Sequence, residues 1–415
     1  MKRGALRDCF TGVSVKRLSA VDADPRRSNQ HEVGTTADMR AGFLGAAHRQ
    51  RFDVRFLRLG DDVGDRVTDE GSATHYDARR AQPARNPEWR LYYPTNPVTE
   101  AMRAGDTLFL AMDRKASLWF VVAPEGSTAE RQLCWLFSVS SPEKHQRFVT
   151  RDITDDAPEL GFAARFILDK LGMEPGDPEA DRLDGIIRPL GGILPSTAEF
   201  SALARRSSPD VSPGDDPDGA LVTWLDWEES LFRRLERQVV AARLEQGFMM
   251  AGSADVDGFI AFSLSVQNRR KARMGFSLEH HLAAILDVWK IAYERQAVTE
   301  NRYRPDFLFP SAAAYRAAAA DDPGLGMLAA KSSCKERWRQ VLAEADKISH
   351  KHLLTLEPGI STPQTDQMQA SGLQLVVPQP IQDSYTDIQQ TWLLTLADFV
   401  IEMTKRQATD IADEP

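Results

Sequence analysis

The stretch RPDFLFPSAAAYRAAAADDPGLGMLAAKSSCKERW, Arg304 to Trp338, carries the most informative pattern in the chain. A Pro-Asp pair opens one apolar run, and Lys331 closes a second run, Met327 to Ala330. Both runs have the length of short buried strands, and small and turn-forming residues lie between them. If the two strands pair, the Asp306 carboxylate and the Lys331 ammonium meet at one sheet edge.

Working outward, further strands are expected at 352–356 (HLLTL) and 373–378 (LQLVVP), beside those at 305–310 and 326–331. Helices are expected at 333–348 and 385–405. Upstream, residues 224–248 form an amphipathic stripe through Leu231, Leu235, Val239, Val240 and Leu244. A second helix covers 255–273, and Ser277 caps a third over 278–296. This order predicts an α/β domain over 220–415, a central mixed sheet flanked by helices. RSSPDVSPGDDPDG, 206–219, reads as the linker. The domain before it, 1–205, reads as β-rich, with a strand at 13–18 and a loop over 28–50. A three-stranded meander follows (DTLFLAM, SLWFVVA, RQLCWLFSV), and then a helix within 158–172.

A length of 415 residues suits two such domains. No run of eighteen apolar residues exists, so no membrane span is expected. The start, MKRGALRDCFTG, lacks the apolar core of a secretory signal. Cys9, Cys134 and Cys334 are odd in number and far apart, which argues against a disulfide frame or zinc site and suits a reducing cytoplasm. The net charge of -9 weighs mildly against a nucleic-acid partner, but basic residues gather at 263–274 and 331–339.

Magnesium-dependent cutting of a phosphodiester needs carboxylate oxygens for a hard cation and a lysine near the attacking water. Asp306 and Lys331 supply one of each. The usual second acid, two residues before the lysine, is Ala329 here, so Glu279 is the candidate for it. Read from residues alone, a loop aspartate and a solvated strand-end lysine is the more ordinary explanation.

The segments SVQNRRKARMGFSLEHHL, PDFLFPSAAAY, LAAKSSCKERWRQVLAEADKI, HLLTLEPGIS and LQLVVP, in this order between 258 and 380, resemble the catalytic domain of EcoRII-like Type II restriction endonucleases. These enzymes, of the Type IIE kind, belong to the PD-(D/E)xK superfamily. The likeness extends patchily to the front, through VKRLSAVDADPRRSNQHEVG. It implies a homodimeric enzyme that cleaves double-stranded DNA with Mg²⁺ at sites of the 5′-CCWGG type and leaves 5′-phosphates. Carried over, Glu279 and Asp306 hold the metal and Lys331 serves the water. Tyr315 and Lys335 fall at accessory catalytic positions. Asn268, Arg269, Arg270 and Lys271 lie where the family reads base edges, arginine being suited to guanine O6 and N7. Leu225 and Glu229 stand where relatives wall a flipped base, and Trp224 or Trp227 are the aromatic substitutes to consider.

The resemblance also implies that the first domain is a DNA-binding pseudobarrel that takes a second copy of the site and relieves autoinhibition. His31, Arg85, Asn86, Glu88 and Arg90 carry over there, while Pro87 and Trp89 depart from the pattern. A cognate cytosine methyltransferase is the expected companion. The competing reading is a DNA-binding regulator with an inactive nuclease fold. His280-His281 and His350-x-His352 lack zincin spacing and read as surface or DNA-facing residues.

Overall fold

Apolar runs and alternating runs sort most strands into two large sheets, one in each of two compact units of the computed structural model. It describes residues 4–23, 31–61, 64–82, 84–144, 146–153, 160–176, 179–250, 252–334 and 337–412. One unit comprises residues 3–176 and 358–364; the other comprises 177–357 and 365–415, with the first two residues.

The first unit contains β1 (Phe10–Arg17), β2 (Glu32–Gly34), β3 (Arg49–Arg58), β4 (Val67–Asp77), β5 (Trp89–Tyr92), β6 (Thr107–Asp113), β7 (Leu118–Ala123) and β8 (Val149–Asp152). Their order is β2-β5-β4-β3-β7-β6-β1-β8, and every pairing is antiparallel except β3 with β7. β6 and β7 are buried along their whole length, which is why they read as continuous apolar runs. In β6, Leu108 and Leu110 join one core with Phe52, Val54, Leu91 and Phe120, while Phe109 and Ala111 join another with Phe10, Val15 and Trp119. β3 alternates instead, with Phe52, Val54 and Phe56 inward and Arg49, Arg51, Asp53 and Arg55 exposed.

The third predicted meander strand is a helix, Thr128–Leu136. Ser127 accepts the Glu130 amide at 3.1 Å as N-cap, and Ala129, Leu133 and Leu136 face the core. Glu130 is buried because Arg17, 2.9 Å away, neutralises it, and the Thr107 hydroxyl donates to it. Neither partner is legible from the helix itself. The loop expected over 28–50 holds β2 and helical turns over Ala37–Met39 and Arg40–Leu44. The expected helix at 158–172 is present as Phe162–Leu171.

The second unit begins well before the stretch read as a linker. Helices Ala180–Ile187 and Thr197–Ser207 pack against helix Pro217–Gln246, burying Leu183, Ile187, Phe200 and Ala204 against Trp227, Leu231, Phe232 and Leu235. The Pro/Asp-rich residues have structural jobs. Asp216 caps the long helix through the Gly219 amide, and Pro217 occupies its first turn. Buried Asp218 accepts the amides of Gln379, Leu396 and Ala397.

Helices predicted at 255–273 and 278–296 are one continuous helix, Val256–Val288. A lone Gly275 costs a helix about 1 kcal/mol and does not break it. The Ser277 hydroxyl donates to buried Glu228 at 2.6 Å instead of capping. Glu228 also takes Arg273 at 2.5 Å, and His281 Nε2 lies 2.8 Å from its other oxygen. One carboxylate on the first long helix thus fixes the rotation of the second.

The sheet has the order β11 (Glu294–Arg295), β12 (Phe307–Phe309), β13 (Gly326–Lys331), β14 (Lys351–Thr355), β15 (Leu373–Val376), after a short hairpin of β9 (Met249–Met250) and β10 (Ser253–Ala254). The β11–β12 and β12–β13 pairings are antiparallel, and the last two are parallel. Of the helix expected at 333–348, Trp338–Val341 is helical, and 385–405 divides into Asp387–Gln390 and Leu396–Ala412. Phe399 of the last helix packs on Phe309 and His352, so this α/β layer is closed on that face.

Candidate active site

Pro305 leads Asp306 into β12, and the β12–β13 register, Phe307 opposite Leu328, places Asp306 beside the end of β13. Lys331 Nζ lies 2.8 Å from Asp306 Oδ2, and the Ala330 amide donates to the same oxygen at 2.7 Å. The Gln296 side-chain amide donates to Oδ1 at 3.1 Å. Asp306 is buried, whereas Lys331 stays partly open to solvent. The two ends of the diagnostic stretch therefore form an ion pair at a sheet edge.

A second acid reaches this pair from a place the sequence reading did not single out. Glu344 has one buried oxygen, Oε2, with no hydrogen-bond partner. Its carboxyl is pushed up to about 7 by burial; the Asp306 charge adds to this and Lys331 opposes it. Glu344 sits in turns after the short Trp338–Val341 helix, and Ala345 follows with φ 53°, a left-handed conformation costly for a residue with a Cβ. Two lysines hold that backbone. Lys347 Nζ donates to the carbonyls of Tyr315, Arg316 and Ala318, and buried Lys351 donates to those of Ala345 and Ile348. Nothing periodic marks such a segment. The available signal was an acid one segment beyond Lys331.

Glu279 does not lie in the first turn of a helix, because the helix runs on through it. Its carboxylate accepts Arg295 Nη2 at 2.7 Å. Arg295 stands opposite Phe307 in the sheet and engages Glu279 there. Tyr315 is buried away from a reactive role. Its hydroxyl donates to Glu300 at 2.6 Å and accepts the Lys347 amide, and burial with Glu300 raises its pKa. It supports the Glu344 turn. Lys335 lies outside the described residues.

Of the expected base readers, Asn268 is exposed and Arg269 half-buried on the Val256–Val288 helix, and neither side chain has a partner among the described residues. Arg270 is not free: its Nε donates to buried Glu236 at 2.6 Å, a partner on the neighbouring helix invisible in the local sequence. The Lys271 side chain lies outside the described residues. Leu225, Trp224 and Trp227 are core, Trp227 donating to Ser207, and Glu229 pairs with Arg233. Those positions therefore offer no wall for a flipped base. His281 and His352 are buried too, the latter held neutral by a pKa driven down to about 3 chiefly by burial.

In the first unit, Arg85 and Asn86 are exposed and make no side-chain contact among the described residues. Glu88 bridges Arg79 and Arg90, and Arg90 also reaches Glu32, so these charges are mutually engaged. His31 pairs with Thr95 at 2.9 Å. Trp89 stacks on His75 with Arg40 5.0 Å from its ring.

Residues 232–400 match the family model described as EcoRII C terminal. The matched residues contain Asp306, Lys331 and Glu344. The Type II restriction enzyme EcoRII of Escherichia coli is 42% identical over 212 residues, 51% of this chain and 51% of that protein. The chain thus spans about half the length of the curated relative it matches. Among solved structures, metal-depleted Ecl18kI in complex with uncleaved, modified DNA is similar at 14% identity and a TM-score of 0.40, covering 60% of this chain and 85% of that one. A PspGI–substrate DNA complex is similar at 16% and 0.38, covering 56% and 94%.

Proposed function

We propose that the chain is a Type II restriction endonuclease that hydrolyses phosphodiester bonds of double-stranded DNA at a CCWGG-like site with Mg²⁺. The observation that carries this reading is the Asp306–Lys331 ion pair beside an unpartnered, buried Glu344 oxygen. Among the described residues no three acidic, histidine or cysteine groups form a ready metal cage. Magnesium does not need one: it binds through one or two carboxylates and fills its other positions with water and substrate phosphate. Asp306 and Glu344 suit it as all-oxygen donors, and they are the residues that would hold it. Bound there, the ion lowers the pKa of a water and offsets phosphate charge.

The protein's own groups do the remainder. Lys331 holds the attacking water and stabilises charge building on the phosphoryl oxygens. Water oxygen bonds to phosphorus as the bond to the 3′ oxygen breaks; the water gives up a proton to solvent and the leaving 3′ oxygen takes one, which leaves a 5′-phosphate and a 3′-hydroxyl. Glu279, held by Arg295, acts from the margin, so Glu279→Ala is a weaker lesion than loss of Asp306. Digesting a plasmid with Mg²⁺ and sequencing the fragment ends tests the whole reading; random ends or no cleavage would refute it.

Arg269, without a partner on the helix, is the foremost candidate for guanine readout, with Asn268 beside it. Arg269→Ala is expected to lower discrimination against a mismatched site by about 1–3 kcal/mol, or roughly 5- to 150-fold. Unchanged selectivity in competitive cleavage would move readout elsewhere.

A homodimer is part of this proposal. Between residues 237 and 272 no described residue is buried. This helical hairpin exposes Leu244, Met249, Met250, Phe259, Ile260 and Leu264, an apolar set suited to a second copy. Phe259→Asp with Ile260→Asp is expected to halve the mass in sedimentation analysis; an unchanged mass would place the interface elsewhere. The first unit, in this reading a pseudobarrel, binds a second copy of the site and relieves autoinhibition. A cytoplasmic setting and a cognate cytosine methyltransferase complete the system. No described helix is long and apolar enough to cross a membrane.

A further inference from the structure

The face of the first sheet carries a groove that the effector residues above do not include. It is lined by Arg49, Arg51, Ser72, Thr74, Tyr92 and Pro94. Arg49 and Arg51 lie two apart on β3, so both guanidiniums leave the same face. The antiparallel register sets Thr74 opposite Arg51, and Tyr92 opposite Thr74. Three strands thus bring two cations and three hydroxyls to one concave surface.

Arg49 acts on Tyr76 only through its charge. Among the described residues neither arginine has an ion pair or hydrogen bond, and the hydroxyls of Ser72, Thr74 and Tyr92 have no partner. The contrast with Arg90 is instructive: that arginine, on β5 with Tyr92, is engaged by Glu32 and Glu88. Unpaired arginines beside unpaired hydroxyl donors make a surface for anions. Asp53, exposed farther along β3, repels an anion at that end of the groove and limits its length.

The spacing selects the anion. Two residues of strand separate the arginines by about 7 Å. That is too wide for both to converge on one small anion without bending together, and it suits successive charges along a polyanion. The half-exposed Tyr92 ring offers an apolar face for a sugar between them.

We propose that this groove binds two consecutive phosphates of a duplex DNA backbone, Arg49 and Arg51 each taking one. It rests on the reading that the first unit takes up a second duplex, and it adds affinity without sequence choice.

The test titrates a labelled short duplex containing the site into the full chain, without divalent metal, across a KCl series. The double variant Arg49→Ala/Arg51→Ala is expected to bind one duplex more weakly, and its slope of log affinity against log salt should be shallower by about 1.8, two phosphates at roughly 0.9 each. Arg49→Lys/Arg51→Lys should keep the slope, since a lysine still neutralises a phosphate, which separates charge from misfolding. Cognate and scrambled duplexes should lose affinity in parallel. If the wild type binds a single duplex and the alanine variant still shows the shallower slope, the groove stands and the second-duplex reading falls. An unchanged slope for every bound duplex overturns the groove, however many duplexes bind. Inorganic phosphate competing beyond its ionic strength, only when both arginines are present, would assign a free-phosphate site and overturn the backbone proposal.

Discussion

Asp306→Ala is expected to lower Mg²⁺-dependent cleavage by at least about 10³-fold, roughly 4 kcal/mol of barrier. Lys331→Ala should fall by a similar factor. In the proposed site Asp306 would serve as a metal donor, and it is the counter-ion that holds Lys331 in place, so its loss would remove two functions. The alanine also strands the Ala330 amide and the Gln296 side chain, which the carboxylate now satisfies, at a cost of about 1–3 kcal/mol of stability. Asp306→Asn separates these effects: it keeps the shape and an acceptor but gives up the charge. It should remain folded by circular dichroism, bind the duplex in gel shift, and fail to cut. Normal cutting by Asp306→Asn or Lys331→Ala would refute the assignment of the ion pair to catalysis.

Glu344→Gln should cost about 10²-fold in cleavage, and it has a second signature that a purely structural residue would lack. In the metal-free protein the Glu344 carboxyl is raised from 4.5 to about 7. A raised acid favours the folded state below its ordinary pKa and loses that contribution as pH rises through the folded value. The metal-free wild type should therefore lose thermal stability between roughly pH 4.5 and 7, and Glu344→Gln should be flatter across that window. Metal binding requires the ionised form. Below pH 7 it should release one proton per ion, with affinity rising about tenfold per pH unit and levelling off above. A wild-type Mg²⁺ affinity with no such slope, or a glutamine variant that cuts normally, would remove Glu344 from the site.

Much of this site was legible because its two clearest members sit at the ends of adjacent strands. A Pro-Asp strand start and a strand-end lysine are local features, and antiparallel pairing of neighbouring runs brings them together with few alternatives. Glu344 was not legible, because it arrives on turns whose path is set by lysines reaching carbonyls in other segments. Tyr315 illustrates the converse. Its position matches an accessory catalytic residue, yet its hydroxyl serves Glu300 and the Lys347 amide.

The second acid shows a different failure. Glu279 was chosen by type and position, and the fold places it near the sheet but pairs it with Arg295. The base-reading stretch divides on the same principle. Arg269 and Arg270 are equivalent in sequence, and only the neighbouring helix, bearing buried Glu236, makes one structural and leaves the other free.

By itself the sequence determined four strands of the second unit, β12 to β15, and that Asp306 and Lys331 stand at the ends of two of them, whereas β11 lies inside the helix expected over 278–296. Those depend on hydrophobic period and turn chemistry within a few residues. Tertiary structure alone decided that 128–136 is a helix, that 256–288 is unbroken, and that 206–219 is built into the second unit rather than linking two. In each case the deciding contact is a buried polar partner distant in sequence: Arg17 for Glu130, Glu228 for Ser277, and the amides of 379 and 396–397 for Asp218. A buried charge must find its counterpart wherever the chain supplies it, and local periodicity carries no record of where that is.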